Sequence, residues 1–126
     1  MSFRKFDSND FLLIMYTREN ISDLERLRDE MALEAEQTES GRDTVLDLSH
    51  LQIISSTEIS IIIRFLKTLP GTGRFLRLVA SKYVREILTS TNIHRIPNLI
   101  IYDNLESLQL STAPQFMGKL ESLVNN

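Results

Sequence analysis

Apolar and polar residues fall along this chain in blocks whose period changes from one block to the next. Residues 11 to 16, FLLIMY, are apolar without a break and of strand length, which predicts a strand covered on both faces. From residue 22 to about residue 37 the period becomes helical. Leu24, Leu27 and Met31 return on one stripe, while acids, Glu34 among them, fill the charged face. Ser22-Asp23-Leu24-Glu25 has the spacing of a capping box and predicts the start of that helix, and Ser40-Gly41 ends it. Val45 to Leu51 reads as the next strand. After Ser56 come Ile59, Ile61, Ile62, Ile63, Phe65, Leu66 and Leu69, a helical run apolar nearly all round and so expected to be the most buried helix.

Pro70-Gly71-Thr72-Gly73 stops that helix and turns the chain. Phe75 to Ala80 predicts another strand, and Tyr83, Val84, Ile87 and Leu88 another amphipathic helix, with Asn92 suited to a left-handed C-terminal cap. Leu99 to Tyr102 follows as a short strand, then a helix start at Asp103 or Asn104. Beyond Pro114, the residues Phe116, Met117, Leu120 and Val124 predict a last amphipathic helix over 115–124, and residues 2 to 7 have room for a short initial strand. Strands that alternate with helices imply an α/β layer fold with crossover connections. The expectation is a single domain over 1–126, its core at about 10–110, with a mostly parallel central sheet of about four to five strands flanked by helices.

Composition narrows the classes open to such a domain. The chain has 126 residues, 42% hydrophobic and 25% charged, as in a soluble globular protein. No run reaches the roughly 18 apolar residues of a membrane span. Asp7 and Asp10 break any leader-like run near the N-terminus, so the expected location is the cytoplasm. The absence of cysteine excludes disulfides and thiol chemistry. The net charge of −3 hides an asymmetry: residues 23–39 hold seven acids against two arginines, and residues 64–95 hold seven bases against one acid. A dipolar chain of this kind can steer a charged protein partner, and it can equally be two solvated helix faces.

Little in the sequence supports catalysis. His50 and His94 lie on different elements without ligand spacing, and no G-x-S-x-G elbow accompanies them, so neither a metal site nor a catalytic residue is expected. Gly71-Thr72-Gly73 precedes a strand and lacks the further residues of a nucleotide-binding loop. The basic residues lack interleaved exposed aromatics, so direct nucleic-acid binding is not expected, and no cofactor is called for.

The informative segment is Val45 to Arg64, VLDLSHLQIISSTEISIIIR, where a strand hands over to a helix through three adjacent hydroxyls. Ser55 and Glu58 have capping-box spacing, so Ser55-Ser56-Thr57-Glu58 opens the helix. Helix N-termini present free N–H groups and a partial positive charge, which suit a phosphate, and capping alone also accounts for such hydroxyls.

This segment resembles the STAS family, the domain of bacterial anti-sigma factor antagonists. Leu46-Asp47-Leu48-Ser49-His50-Leu51 stands for the family's Asp-x-Ser/Asp-Leu strand, and Gln52-Ile53-Ile54 for its short apolar stretch. Ser55-Ser56-Thr57-Glu58 stands for the Asp-Ser-Ser/Thr-Gly/Ala signature, with Ser55 in place of the Asp and Glu58 in place of the small residue. The resemblance implies a protein-interaction module without catalysis. It would bind an anti-sigma factor or serine protein kinase and be switched by phosphorylation, which the family position assigns to Ser56. Partner contact is expected over His50, Gln52, Ser55, Ser56, Thr57, Glu58 and Ile59. Alternatives are a constitutive scaffold or transport-complex subunit without the switch, or a small-ligand-binding α/β domain.

Overall fold

The computed structural model describes residues 3–37, 39 and 41–111. Five strands, β1 (Phe3–Asp7), β2 (Phe11–Tyr16), β3 (Asp43–Leu48), β4 (Leu76–Ala80) and β5 (Leu99–Tyr102), form one sheet in chain order. β1 and β2 make an antiparallel pair with Phe3 opposite Tyr16, and the other three pairs are parallel. Parallel neighbours require a crossover, supplied here by α1 (Ile21–Ala35), α2 (Ser56–Leu66) and α3 (Lys82–Ser90). Each crossover steps one strand in the same direction, and crossovers share one hand, so the three helices cover the same face. The mostly parallel α/β sheet expected from the sequence forms, the initial strand included. The helix expected over 115–124 lies outside the described residues.

The pleat sends alternate residues to opposite faces. Leu12, Ile14 and Tyr16, Leu46 and Leu48, and Leu76, Leu78 and Ala80 meet Leu27, Met31, Ile62, Phe65 and Val84 from the helices. Phe11, Leu13, Val45 and Val79 point the other way and pack with Tyr102 and with Leu108 of α4 (Leu105–Ser111). Asn92 takes the left-handed conformation expected of it, and Asn98 does the same just before β5.

Three features differ from the sequence pattern, one of them Glu34, expected on the charged face of α1 and found buried. The N-cap of α1 is Asn20 instead of Ser22: its side chain accepts the N–H groups of Ser22 and Asp23, while the Asp23 carboxylate accepts those of Glu19 and Asn20. The box is shifted by two residues because Asn20 is extended and Ser22 already lies in the first turn. Helix α2 is amphipathic instead of apolar all round. It buries Ile61, Ile62, Phe65 and Leu66 and exposes Ser56, Thr57, Ser60 and Arg64.

Part of the charge asymmetry is spent inside the fold. Glu34 faces inward, its carboxylate held by Arg42 at 2.7 and 2.9 Å and by Arg74 at 3.1 Å. Arg74 is only 1% exposed and also donates to the carbonyls of Arg42 and Glu34. This cluster pins the end of α1 to the starts of β3 and β4. Its hydrogen bond to Glu34, the largest influence, raises the Arg42 pKa further above its usual range. Arg77 pairs with Asp43 and Arg85 with Asp103.

Candidate functional site

The turn from β3 to α2 lies at the C-terminal ends of the parallel strands, where α/β sheets commonly bind. The chain leaves β3 through a turn in which Asp47 Oδ1 accepts the Ser49 N–H at 2.9 Å. Leu51 and Ile54 are buried and anchor the loop at two points, and Ser81 Oγ donates to the Leu51 carbonyl at 3.0 Å, tying the loop to the start of α3. Between the anchors, Gln52 and Ile53 are lifted into solvent, and Ile53 is 68% exposed. His50 is exposed beside them.

Ser55 is the N-cap of α2. Its Oγ accepts the Glu58 N–H at 3.2 Å, and Glu58 Oε1 accepts the Ser55 N–H at 2.8 Å, completing the reciprocal box read from the sequence. The Ser55 hydroxyl is thereby engaged. Ser56 and Thr57, in the first turn, are exposed, and the Ser56 carbonyl accepts from Ser60 Oγ at 2.9 Å. Ile59 is half-buried on the inward side.

Glu58 is 1% exposed and makes more than a cap. Its Oε2 accepts the Tyr16 O–H at 2.5 Å, and its Oε1 also accepts from Arg18 Nη1 at 2.6 Å. One carboxylate thus joins the end of β2, the loop before α1 and the start of α2. It also lies at the positive end of the α2 dipole, where an anion is stabilised. Burial first, then the hydrogen bond and charge of Glu58, push the Tyr16 phenol well above its usual range, so it stays a donor at any physiological pH.

The structure therefore separates the residues expected to contact a partner. His50, Gln52, Ser56 and Thr57 lie on the surface, Ser55 and Ile59 are partly covered, and Glu58 points inward. Ile53, within the 52–54 stretch singled out in the sequence, lies in this region, and Tyr16, Arg18 and Tyr83 join it without any local sign in the sequence. Tyr83 of α3 is 67% exposed and lines, with Gln52, Ile53, Glu86, Ile87 and Ser90, an open groove of about 780 Å³. Thr17, Arg18, His50, Leu51, Gln52 and Ile53 line a second cavity of about 310 Å³. Among the described residues, no group of three or more His, Cys, Asp or Glu side chains is placed to hold a metal ion, and no helix is long and apolar enough to cross a membrane.

The STAS domain model matches residues 20–108, from the cap of α1 to α4. The chain belongs to the STAS domain family. The crystal structure of a candidate anti-sigma factor antagonist from Thermotoga maritima aligns with a TM-score of 0.67 at 25% identity, over 82% of this chain and 88% of that one. A STAS domain protein from Planctomyces limnophilus, described as an anti-sigma-factor antagonist, aligns with a TM-score of 0.67 at 18% identity, over 84% of this chain and 94% of that one. No curated protein sequence matches the chain significantly. This STAS domain thus resembles anti-sigma factor antagonists in fold. Its departures from the family signature, Ser55 and Glu58, are the two halves of one capping box, so they form a mutually satisfied pair at the helix start.

Proposed function

We propose that this STAS domain is a non-catalytic binding module of the partner-switching kind. Unphosphorylated, it binds an anti-sigma factor or serine protein kinase through the β3–α2 turn, and phosphate on Ser56 releases that partner. The observation that carries the proposal is the division of labour among the hydroxyls: Ser55 is locked in the cap, while Ser56 stands exposed in the first turn of α2. A phosphate there carries a charge of about −1.5 to −2 and sits at a helix N-terminus that tolerates it, so it alters the surface without unfolding the domain. The likeness to an anti-sigma factor antagonist at 25% identity supports the same partner class.

A second reading, a constitutive scaffold, is favoured by Glu58. Its buried carboxylate already occupies the α2 N-terminus, so a phosphate on Ser56 adds negative charge beside existing negative charge. Incubation with the cognate serine kinase followed by peptide mass mapping decides between them. Phosphate on Ser56 supports the switch, and intact partner binding without any phosphate incorporation supports the scaffold.

A further inference from the structure

Helices α1 and α2 pack side by side over the sheet and leave a cleft of about 280 Å³ between them. Its walls are Met31, Ala32 and Ala35 from α1 and Ile61 and Phe65 from α2. The space is there because α1 brings two alanines, whose side chains end at Cβ, to a helix contact that larger side chains would fill. An apolar cavity of only about 150 Å³ takes up benzene, so this one has room for a short hydrocarbon chain or a single ring. Its rim is polar. Arg28 and Arg64 line it, and both are exposed. Among the described residues neither arginine makes an ion pair or a side-chain hydrogen bond, although Glu25 and Asp29 stand close to Arg28 in the chain. Both guanidiniums are therefore charged and uncommitted, with donors arranged for a carboxylate. Glu36 also lines the cleft, but it stands eight residues beyond Arg28, about 12 Å further along α1, and marks the far end.

We propose that the α1–α2 cleft binds a small apolar carboxylate, such as a medium-chain fatty acid. The hydrocarbon part fills the space among Ala32, Ala35, Ile61 and Phe65, and the carboxylate rests on Arg28 and Arg64. Glu36 fixes the direction, because it repels the carboxylate from the far end. The walls and the rim together select this class. An uncharged hydrocarbon leaves both guanidiniums without an acceptor, and an inorganic anion leaves the apolar walls unfilled. A partner helix, about 10 Å across with its side chains, is too wide to enter. The cleft shares no lining residue with the β3–α2 turn, so it is tested apart from the function proposed for that turn.

Titration of the isotope-labelled full chain with octanoate, followed by amide chemical shifts in solution NMR, tests this. Saturable shifts are expected, centred on residues 28–36 of α1 and 61–68 of α2. Octanol, which has the same chain length without the charge, should bind about tenfold more weakly, and so should octanoate to the double variant Arg28→Gln with Arg64→Gln, as loss of charge-assisted hydrogen bonds does. Both arginines are exposed and without ion pairs, so the double variant should keep its fold, which circular dichroism verifies. Ala35→Leu fills the cleft and should abolish binding. Ala32→Leu, at an exposed position of the same wall, does the same if Ala35→Leu does not fold. Shifts that never saturate, shifts centred elsewhere, octanol binding as tightly as octanoate, or undiminished affinity in the double arginine variant or in a folded leucine variant overturns the proposal.

Discussion

Tyr16 donates its phenolic O–H to the Glu58 carboxylate at 2.5 Å, joining residues 42 positions apart in the chain. The bond closes the end of β2 onto the start of α2 and sets the frame in which Ser56 is displayed. Glu58 therefore acts on the candidate site from beneath, through Ser55, Tyr16 and Arg18, and its own carboxylate stays out of solvent.

Replacing Glu58 with Ala should cost about 2–4 kcal/mol, because it removes half of a capping box and leaves the Tyr16 hydroxyl buried without its acceptor. Urea denaturation monitored by circular dichroism measures it. Thr57→Ala, on the exposed side of the same turn, should change the midpoint by no more than a surface substitution does, about 0.5 kcal/mol. Equal midpoints for the two variants would show that the Glu58 cluster does not support the fold.

The raised Tyr16 pKa gives a signed pH dependence. Below the usual tyrosine value of about 10 both folded and unfolded chains hold the phenolic proton, and the contribution is fully present. Above it the unfolded chain sheds the proton while the folded chain keeps it, so stability falls as pH rises. Tyr16→Phe removes this component. The stability difference between wild type and Tyr16→Phe should narrow above about pH 10, and a constant difference would contradict the assignment.

Glu34 should be among the costliest acids to remove. Glu34→Ala leaves the buried Arg74 and the largely covered Arg42 without their shared carboxylate, a change of about 3–5 kcal/mol. Glu25→Ala, on the exposed face of the same helix, should cost under about 0.5 kcal/mol. Thermal denaturation of the two single variants compares them directly.

On α2, Ile62→Ala should cost about 2–5 kcal/mol, since Ile62 is completely buried between the helix layer and the sheet. Ile63 is only half-buried, so Ile63→Ala should cost clearly less. Denaturant midpoints in the reverse order would mean that the inward face of α2 has been misassigned.

What the sequence made legible was local. The uninterrupted FLLIMY run, the helical stripe of Leu24, Leu27 and Met31, and the three-residue spacing of Ser55 and Glu58 carry their structural meaning within a few positions. The α1 cap was missed by two residues because Asn20 and Ser22 are both competent caps and only the backbone decides between them. Glu34 did leave a trace: it stands seven residues after Leu27 and three after Met31, on the apolar stripe itself, but its partner Arg74 is 40 positions away. The Tyr16–Glu58 bond and the approach of Tyr83 to Ile53 depend on how distant elements pack, and no local spacing encodes them.

The central claim is that Ser56 is the switch of a partner-binding turn. The direct measurement is the affinity of the anti-sigma factor for the domain before and after stoichiometric phosphorylation of Ser56, by titration calorimetry. We expect a loss of at least about tenfold, because a charge near −2 is introduced at the centre of the contact, with the domain still folded. Equal affinity for the two forms, or phosphate carried by Ser55 or Thr57 in place of Ser56, would contradict it.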